Sequence, residues 1–245
     1  STDGHLVMAY LFLKAQGLAG KPVADIRIDG AGKKVTRSDN CRVSDLSVSS
    51  DNLTFTYEAK SLPYPIDTSY YDNEKHTQAD ALSVIPFMDE MNYEGLSVSG
   101  LSDGYYGLTI GGEFIGRFTA RELERGINMA LLQNTPQYKQ AMKIRQMNEE
   151  RWLKERKMRE FYWVEYNLMR KTGMLWACNE AAVDTLRKYR PHDIFLQWNG
   201  ALWLQYMHKG IREDCVNEQQ DLVNQIYEQN KPIPLQIEIK KFTDL

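Results

Sequence analysis

The sequence lacks the signals of several protein classes. No apolar run approaches the roughly 20 residues that a membrane-spanning helix needs, and none therefore predicts a membrane span. The first residues carry neither the basic segment nor the small-residue cleavage site of a signal peptide, so any targeting signal is expected upstream of Ser1. With a formal net charge of −3, the composition provides no case for nucleic-acid binding.

Sequence motifs of common active sites are missing as well. No Gly-x-Ser-x-Gly nucleophile elbow is present. The glycines of GLTIGGEFIG at 107–116 belong to predicted hairpins and not to a phosphate loop, because no helix begins directly after them. The four histidines show no metal-ligand spacing, so we expect no metal and no cofactor; they are His5, His76, His192 and His208.

Cysteines are few: only Cys41, Cys178 and Cys215 occur, and no two form a Cys-x-x-Cys pair. An odd number cannot form a complete set of intramolecular disulfides. Three buried thiols, or one disulfide and one thiol, both fit the sequence, and the thiols are favoured.

The first half of the chain carries the signature of short strands. In LTFTYEA at 53–59, the leucine and the two aromatic residues share one face of an extended chain. About seven such segments with hairpin turns predict a small antiparallel β-sandwich over residues 20–119. A polar, proline-containing stretch at 60–94 interrupts it and is predicted to be a long surface loop.

The remaining chain, residues 120–245, is predicted to be a helical region, with PIPLQIEIKKF at 232–242 as a closing strand or an extended tail. A capping box at 119–122 begins it, since a threonine and a glutamate three residues apart satisfy each other's backbone amides. One long helix of about 38 residues is predicted from a cap at Asn134 or Thr135 to Gly173. The fold class is therefore α+β.

The long helix carries a basic cluster, RWLKERKMRE at 151–160. Basic side chains interleaved with Trp152 and Phe161 could bind phosphates and bases. Glutamates at helical spacing within and before the segment favour a different interpretation, in which the charges pair along a solvated face.

Aromatic residues concentrate in a later segment that includes Trp198 and Trp203. Flat apolar rings could line a groove in which a sugar stacks, and both tryptophans are candidate substrate-contacting residues. The helical spacing of Trp198, Leu202 and Tyr206 is more typical of a buried core.

A strongly apolar helix begins almost at the first residue, in STDGHLVMAY, with Asp3 or Thr2 as its cap and its end near Gly17. Such a helix must be buried against something, and we expect it to pack on the sandwich or on a second copy of the chain. Its abrupt start predicts that residues 1–19 are the last element of a domain whose earlier part precedes Ser1.

The stretch DGHLVMAYLFLKAQG resembles the segment that closes the catalytic domain of SGNH hydrolases, the GDSL-type esterases. The rest of the chain resembles the long C-terminal extension of bacterial members, and the similar stretches are VADIRIDG at 23–30, LPYPID at 62–67, residues 96–138 and the charged long helix. The resemblance implies a carboxylic-ester hydrolase whose catalytic serine, oxyanion-hole glycine and asparagine, and Asp-x-x-His pair all lie upstream of Ser1. It also implies a periplasmic or extracellular location.

In that family a short linker follows the Asp-x-x-His pair, and a Gly-His or its equivalent then begins the final helix. On this resemblance His5 holds the Gly-His position and is not the catalytic base, because no aspartate stands three residues before it. The chain is then the accessory C-terminal part of an ester hydrolase acting on acylated carbohydrate, inactive alone and partnered by the upstream SGNH domain. The candidate substrate-proximal residues are His5, Asn128, Trp198 and Trp203. The alternative is a non-catalytic carbohydrate-binding or structural module, with the long helix as the interface of a homo-oligomer.

Overall fold

The computed structural model describes residues 1–69 and 75–242. It is α+β, as the sequence predicts, and it divides into two compact units. We call Ser1–Lys143 with Gln229–Leu245 the sheet unit, and Ile144–Glu228 the helical unit. Residues 70–74 of the predicted loop, and 243–245 of the tail, lie outside the described residues.

In chain order the elements are α1 (Thr2–Ala15), β1 (Ala24–Asp29), β2 (Lys34–Asp39), β3 (Cys41–Val48), β4 (Asn52–Ala59), a 3₁₀ helix (Gln78–Ser83), α2 (Phe87–Glu90), β5 (Glu94–Ser99), β6 (Tyr105–Ile110), β7 (Glu113–Thr119), α3 (Ala120–Arg125), β8 (Ile127–Asn128), a 3₁₀ turn (Met129–Leu131), α4 (Pro136–Val164), a π-helix (Glu165–Met169), α5 (Glu180–Tyr189), a 3₁₀ turn (Arg190–His192), α6 (Ile194–Tyr206), α7 (Lys209–Gln229) and β9 (Leu235–Lys241).

The sheet unit contains two sheets. One has the strand order β2-β1-β5-β8 and the other β3-β4-β9-β6-β7. Their inward residues form one hydrophobic core that includes Ile26, Leu96, Phe55 and Ile237. The sequence predicts antiparallel pairing only, but β1 and β5 pair in parallel, since the segment from β2 through α2 separates them and no hairpin constrains their direction.

Strand β9 forms in the segment 232–242, which the sequence predicts to be a closing strand or an extended tail. It lies between β4 and β6 in the five-stranded sheet. Its alternating side chains Leu235, Ile237 and Ile239 are buried, so the last strand completes the core of the sheet unit.

Helix α1 packs on the segment predicted to be a surface loop. Leu6 and Tyr10, one turn apart, are buried in a cluster with Ile66, Ala81 and Phe87. The cluster is held at its rim by polar bonds, in which the Tyr10 hydroxyl and the Lys14 ammonium donate to Glu90 Oε2 at 2.7 Å each. The stretch at 60–94 is thus partly a cradle for α1, because its apolar residues need a buried surface.

The other side of α1 is open. Met8, Leu11 and Phe12 are exposed, although the sequence predicts that this strongly apolar helix is buried against something. Burial through Leu6 and Tyr10 covers only one stripe of the cylinder.

Two local predictions are confirmed in the sheet unit. Thr119 Oγ1 accepts from the Glu122 amide at 3.2 Å, and the Glu122 carboxylate accepts from the Thr119 amide at 2.7 Å. Gly111 and Gly112 connect β6 to β7 with φ angles of 58° and 83°, the left-handed pair that a tight hairpin turn requires.

The long helix is shorter than predicted. It runs as an α-helix over Pro136–Val164 and then widens into a π-helix over Glu165–Met169. Its basic cluster is paired with glutamates, as the second interpretation expects: Arg151 with Glu155 at 3.1 Å, and Arg156 with Glu160 at 2.7 Å.

The core of the helical unit is aromatic. Phe161 and Trp203 stack at a centroid distance of 6.5 Å, and they are surrounded by buried side chains from the π-helix, α5, α6 and α7.

The three cysteines are free thiols, with Cys41 and Cys215 buried and Cys178 partly buried. Within residues 1–69 and 75–242, every helix is too short or too polar to span a bilayer.

Candidate functional site

The predicted candidates His5 and Asn128 differ in their surroundings. His5 is exposed on α1. Asn128 is partly buried, and its side-chain amide connects three segments of the backbone. Its Oδ1 accepts from the amides of Glu94 at 3.0 Å and Ala130 at 3.1 Å. Its Nδ2 donates to the carbonyls of Met88 at 3.0 Å and Asn92 at 3.2 Å. These four bonds use the amide fully, so its geometry is that of a structural residue.

The two candidate tryptophans of α6 do not line one groove. Trp198 is 65% exposed, whereas Trp203 is fully buried. The indole N–H of Trp203 donates to Glu165 Oε1 at 2.8 Å. Five residues of α-helix rotate the chain well past one turn, which places the two rings on different faces.

Glu165 is a fully buried carboxylate at the start of the π-helix. Besides Trp203, it accepts from the backbone amide of Trp176 at 2.8 Å. Trp176 and Cys178 both have positive φ, 60° and 43°, so the loop that wraps around the carboxylate is strained. The donors from Trp203 and Trp176 supply hydrogen bonds that a buried carboxyl group would otherwise lack.

Cys178 lies beside this carboxylate, with its Sγ 3.9 Å from Glu165 Oε1. Burial raises the pKa of the Cys178 thiol, and the negative charge of Glu165 raises it further. The thiolate is therefore disfavoured, and the geometry does not make Cys178 a nucleophile.

Two clefts of the helical unit share one tryptophan. The first has a volume of about 400 Å³ and the second about 310 Å³. The first is lined by Trp163, Asn167, Leu168, Lys171, Thr172, Tyr189, His192, Asp193 and Leu196. The second is lined by Trp152, Arg156, Arg159, Glu160, Trp163 and Asn199. We call the two together the Trp163 groove.

A row of ring contacts runs beside this groove. Trp163 and Phe195 are 5.5 Å apart between ring centroids, and Phe195 and Trp198 are also 5.5 Å apart. Trp198 therefore lies in an aromatic row whose inner member is Trp163 on the long helix, and Trp203 is not part of this row. The sequence contained no signal that would join Trp163 to α6, because the contact is between distant segments.

A second buried carboxylate, Glu94, lies at the start of β5 in the sheet unit. It is fully buried. Its Oε1 accepts from the Tyr57 hydroxyl at 2.8 Å and from Gln137 Nε2 at 3.3 Å. Among the described residues neither Glu94 Oε2 nor Gln137 Oε1 has a hydrogen-bond partner. Burial raises the pKa of Glu94 to about 7, and the two donors oppose that rise.

Tyr57 shares this environment. Burial and the neighbouring carboxylate raise the pKa of its hydroxyl far above the usual range, so it stays a donor. No three acidic, histidine or cysteine side chains within 1–69 and 75–242 lie together as metal ligands would.

Comparison with known proteins gives two matches. Residues 142–231 match the protein family described as the diltiazem deacetylase C-terminal helical domain. Among solved structures, the chain is similar to BT4096, described as a gut microbial diltiazem-metabolizing enzyme, with 39% identity and a TM-score of 0.93. The similarity covers 99% of this chain and 55% of BT4096, so the chain spans just over half the length of that protein. No curated protein is significantly similar to this sequence. The helical unit is thus similar to the C-terminal helical domain of diltiazem deacetylase, and nearly the whole chain has the fold of the corresponding part of BT4096.

Proposed function

We propose that this chain is the accessory C-terminal part of an SGNH-type carboxylic-ester hydrolase. The observation that carries the proposal is the match of 142–231 to a domain of a deacetylase, a class of enzyme that removes acetyl groups. The second support is the coverage of the match, since the similarity includes only 55% of BT4096 and leaves the rest of that enzyme without a counterpart in this chain. The catalytic groups would then belong to a preceding hydrolase domain.

In this proposal the hydrolase domain supplies the chemistry. A serine attacks the ester carbonyl after a histidine removes its proton, and backbone and asparagine donors stabilise the oxyanion. The natural substrate would be an acylated carbohydrate, and the enzyme would act in the periplasm or outside the cell.

Helix α1 offers a surface for contact with such a domain. Met8, Leu11 and Phe12 are exposed side chains on one short helix, and exposed apolar patches mark sites of protein contact. A second copy of the chain could cover the same exposed face of α1 in a homo-oligomer. A charge substitution on α1, combined with size measurements, distinguishes contact with a hydrolase domain from contact with a second copy.

The first experiment compares this 245-residue chain with the full-length protein on p-nitrophenyl acetate. We expect hydrolysis by the full-length protein and none above background by the chain alone. Hydrolysis by the isolated chain at a comparable rate would contradict the proposal, as would an upstream sequence with no Gly-Asp-Ser motif and no Asp-x-x-His pair.

The second experiment introduces a charge into the α1 surface of the full-length protein. Phe12→Asp should lower thermal stability or activity if a hydrolase domain covers Phe12. Phe114→Asp is a matched control, because Phe114 is 60% exposed and Phe12 64%, and it lies on β7, away from α1. Equal effects of the two substitutions would refute docking through α1. Size measurements on this chain show whether a second copy occupies the surface instead.

The second candidate function is a non-catalytic carbohydrate-binding module. The observation that favours it is the Trp163 groove, whose two clefts are lined by both aromatic and polar side chains. Sugar binding with no ester hydrolysis by the full-length protein would favour this function over the first.

A further inference from the structure

We propose that the Trp163 groove binds a neutral oligosaccharide, with one sugar ring in each of its two clefts. The inference rests on the proposed function for its biological setting, in which the substrate is an acylated carbohydrate. Binding itself is independent of hydrolysis, because the groove lies wholly in the helical unit.

The size and the division of the groove suit a chain of rings. The clefts, at about 400 and 310 Å³, fall within the usual volume of small-molecule sites, roughly 300–1,000 Å³. Trp163 borders both clefts. Two adjacent clefts with one shared aromatic wall match a ligand that repeats a similar unit, whereas a single compact ligand needs only one.

Aromatic side chains occur in each cleft. Tyr189 belongs to the first and Trp152 to the second, and both are exposed although each carries a large apolar ring. Sugars present one face of C–H groups and a rim of hydroxyls. An aromatic ring with polar neighbours is complementary to both, because the ring covers the apolar face while the polar groups bond the rim.

The charges of the groove favour a neutral ligand. In the second cleft Arg156 pairs with Glu160 at 2.7 Å and Arg159 pairs with Glu155 at 3.6 Å. In the first cleft Lys171 and Asp193 carry opposite charges. An anionic ligand would need a net positive lining, whereas the lysine and the aspartate of the first cleft balance in formal charge and both arginines of the second cleft are paired.

The polar groups of the first cleft also include both donors and acceptors. Asn167 uses its Nδ2 to donate to the Trp163 carbonyl at 2.9 Å, which leaves its Oδ1 as an acceptor. Lys171 supplies donors, and the hydroxyls of Tyr189 and Thr172 can accept. A polyhydroxylated ligand, whose every hydroxyl both donates and accepts, uses such a mixture well.

An independent observation is the π-helix at the first cleft. Asn167 and Leu168 lie within its single wide turn, and π-helices occur frequently at functional sites because they displace side chains from α-helical positions. Glu165 fixes this turn from the opposite, buried side through Trp203 and Trp176. The cleft wall is thus held rigidly by bonds that a ligand does not have to form.

The test uses the 245-residue chain and neutral sugars as probes: glucose, galactose, mannose, N-acetylglucosamine, cellobiose and xylobiose. All five tryptophans, Trp152, Trp163, Trp176, Trp198 and Trp203, belong to the helical unit, so indole NMR signals and fluorescence report on it alone. We expect a saturable shift of the Trp163 and Trp152 signals with at least one sugar, and tighter binding of a disaccharide than of its monosaccharide.

Two substitutions and two matched controls locate the site. Trp152→Ala and Tyr189→Ala should each weaken binding about three- to tenfold, the loss expected for one aromatic contact. Tyr105→Ala and Tyr227→Ala should leave it unchanged, since neither residue lines the groove. Tyr105 is 49% exposed and Trp152 45%, so the comparison is close, and melting curves verify that each variant folds.

Three outcomes would overturn the inference: no saturable shift with any of the six sugars, equal weakening by the controls, or binding only of an anionic sugar such as glucuronate that Lys171→Met abolishes. Failure of the proposed function is distinguishable, because hydrolysis of p-nitrophenyl acetate by the full-length protein involves no sugar.

Discussion

Replacing Glu94 with glutamine should stabilise the sheet unit above neutral pH and remove one part of its pH dependence. In the folded protein the carboxyl is fully buried and accepts from Tyr57 and Gln137 through Oε1 only. Its Oε2 has no partner among the described residues, and neither has the amide oxygen of Gln137. Protonation of the Glu94 carboxyl adds a hydrogen-bond donor where Glu94 Oε2 and Gln137 Oε1 are both acceptors without a partner. The side-chain amide of the Glu94→Gln variant adds a donor in the same way.

The sign and the size follow from the pKa. The unfolded glutamate ionises near 4.5 and the folded one near 7, because burial disfavours the charge. Between these values the folded state binds more protons, so stability is complete below pH 4.5 and falls as the pH rises to about 7. The difference between the folded and the unfolded pKa corresponds to about 3 kcal/mol in the free energy of unfolding, at roughly 1.36 kcal/mol per pKa unit. Glu94→Gln is neutral throughout, so its advantage over the wild type should grow over this interval to about 3 kcal/mol.

The assay must follow the sheet unit by itself. Tryptophan fluorescence does not, since every tryptophan is in the helical unit, and it serves as an internal control that should not change. Hydrogen exchange of β5 and β9 peptides, measured from pH 4.5 to 8 and corrected for intrinsic rates, reports the local free energy of opening. Glu58→Gln is the matched control: Glu58 is a partly exposed glutamate on β4 that pairs with Arg42, and its loss should change stability by less than about 1 kcal/mol. A wild-type-minus-variant difference that stays flat from pH 4.5 to 7 would refute the reasoning.

Three further substitutions test the other polar contacts. Trp203→Phe removes a donor from buried Glu165 and should destabilise the helical unit by about 2–3 kcal/mol; fluorescence-detected urea unfolding measures it, and an unchanged midpoint would show that the bond contributes nothing. Asn128→Ala breaks four hydrogen bonds and should destabilise the sheet unit by about 2–4 kcal/mol. Faster hydrogen exchange at β5 and β8 would report this loss, whereas a loss of activity without destabilisation would indicate a substrate contact instead. Thr119→Ala removes one half of the capping box with Glu122 and should cost about 1 kcal/mol, with increased exchange confined to α3; no change there would contradict the capping role.

Predictions from neighbouring residues were the successful ones. The box at Thr119 and Glu122, the turn at Gly111 and Gly112, and the ion pairs along α4 all depend on groups at most four residues apart. Their geometry is set by the repeat of a helix or a tight turn, whatever surrounds them.

Predictions about burial were less successful. The helical spacing of Trp198, Leu202 and Tyr206 favours a common core, but Trp198 is exposed while Tyr206 is buried. Helix α1 is buried against the rest of the sheet unit, as expected, but only the stripe through Leu6 and Tyr10 is covered, while Met8 and Phe12 are exposed. A periodic pattern shows which side chains share a face, and it does not say which neighbour is present to cover that face.

The sequence by itself therefore determined the α+β class, the strand-rich first half, the long helix and the local caps and turns, because each follows from hydrogen bonds and side-chain spacing over a few residues. Only the tertiary structure decided that β9 enters the middle of a sheet and that β1 and β5 pair in parallel. It also decided that Glu94 and Glu165 are buried with particular donors, and that Trp163 joins Phe195 and Trp198 beside two clefts. These features depend on contacts between segments far apart in the chain, where many pairings satisfy the same local pattern and the shared core selects one.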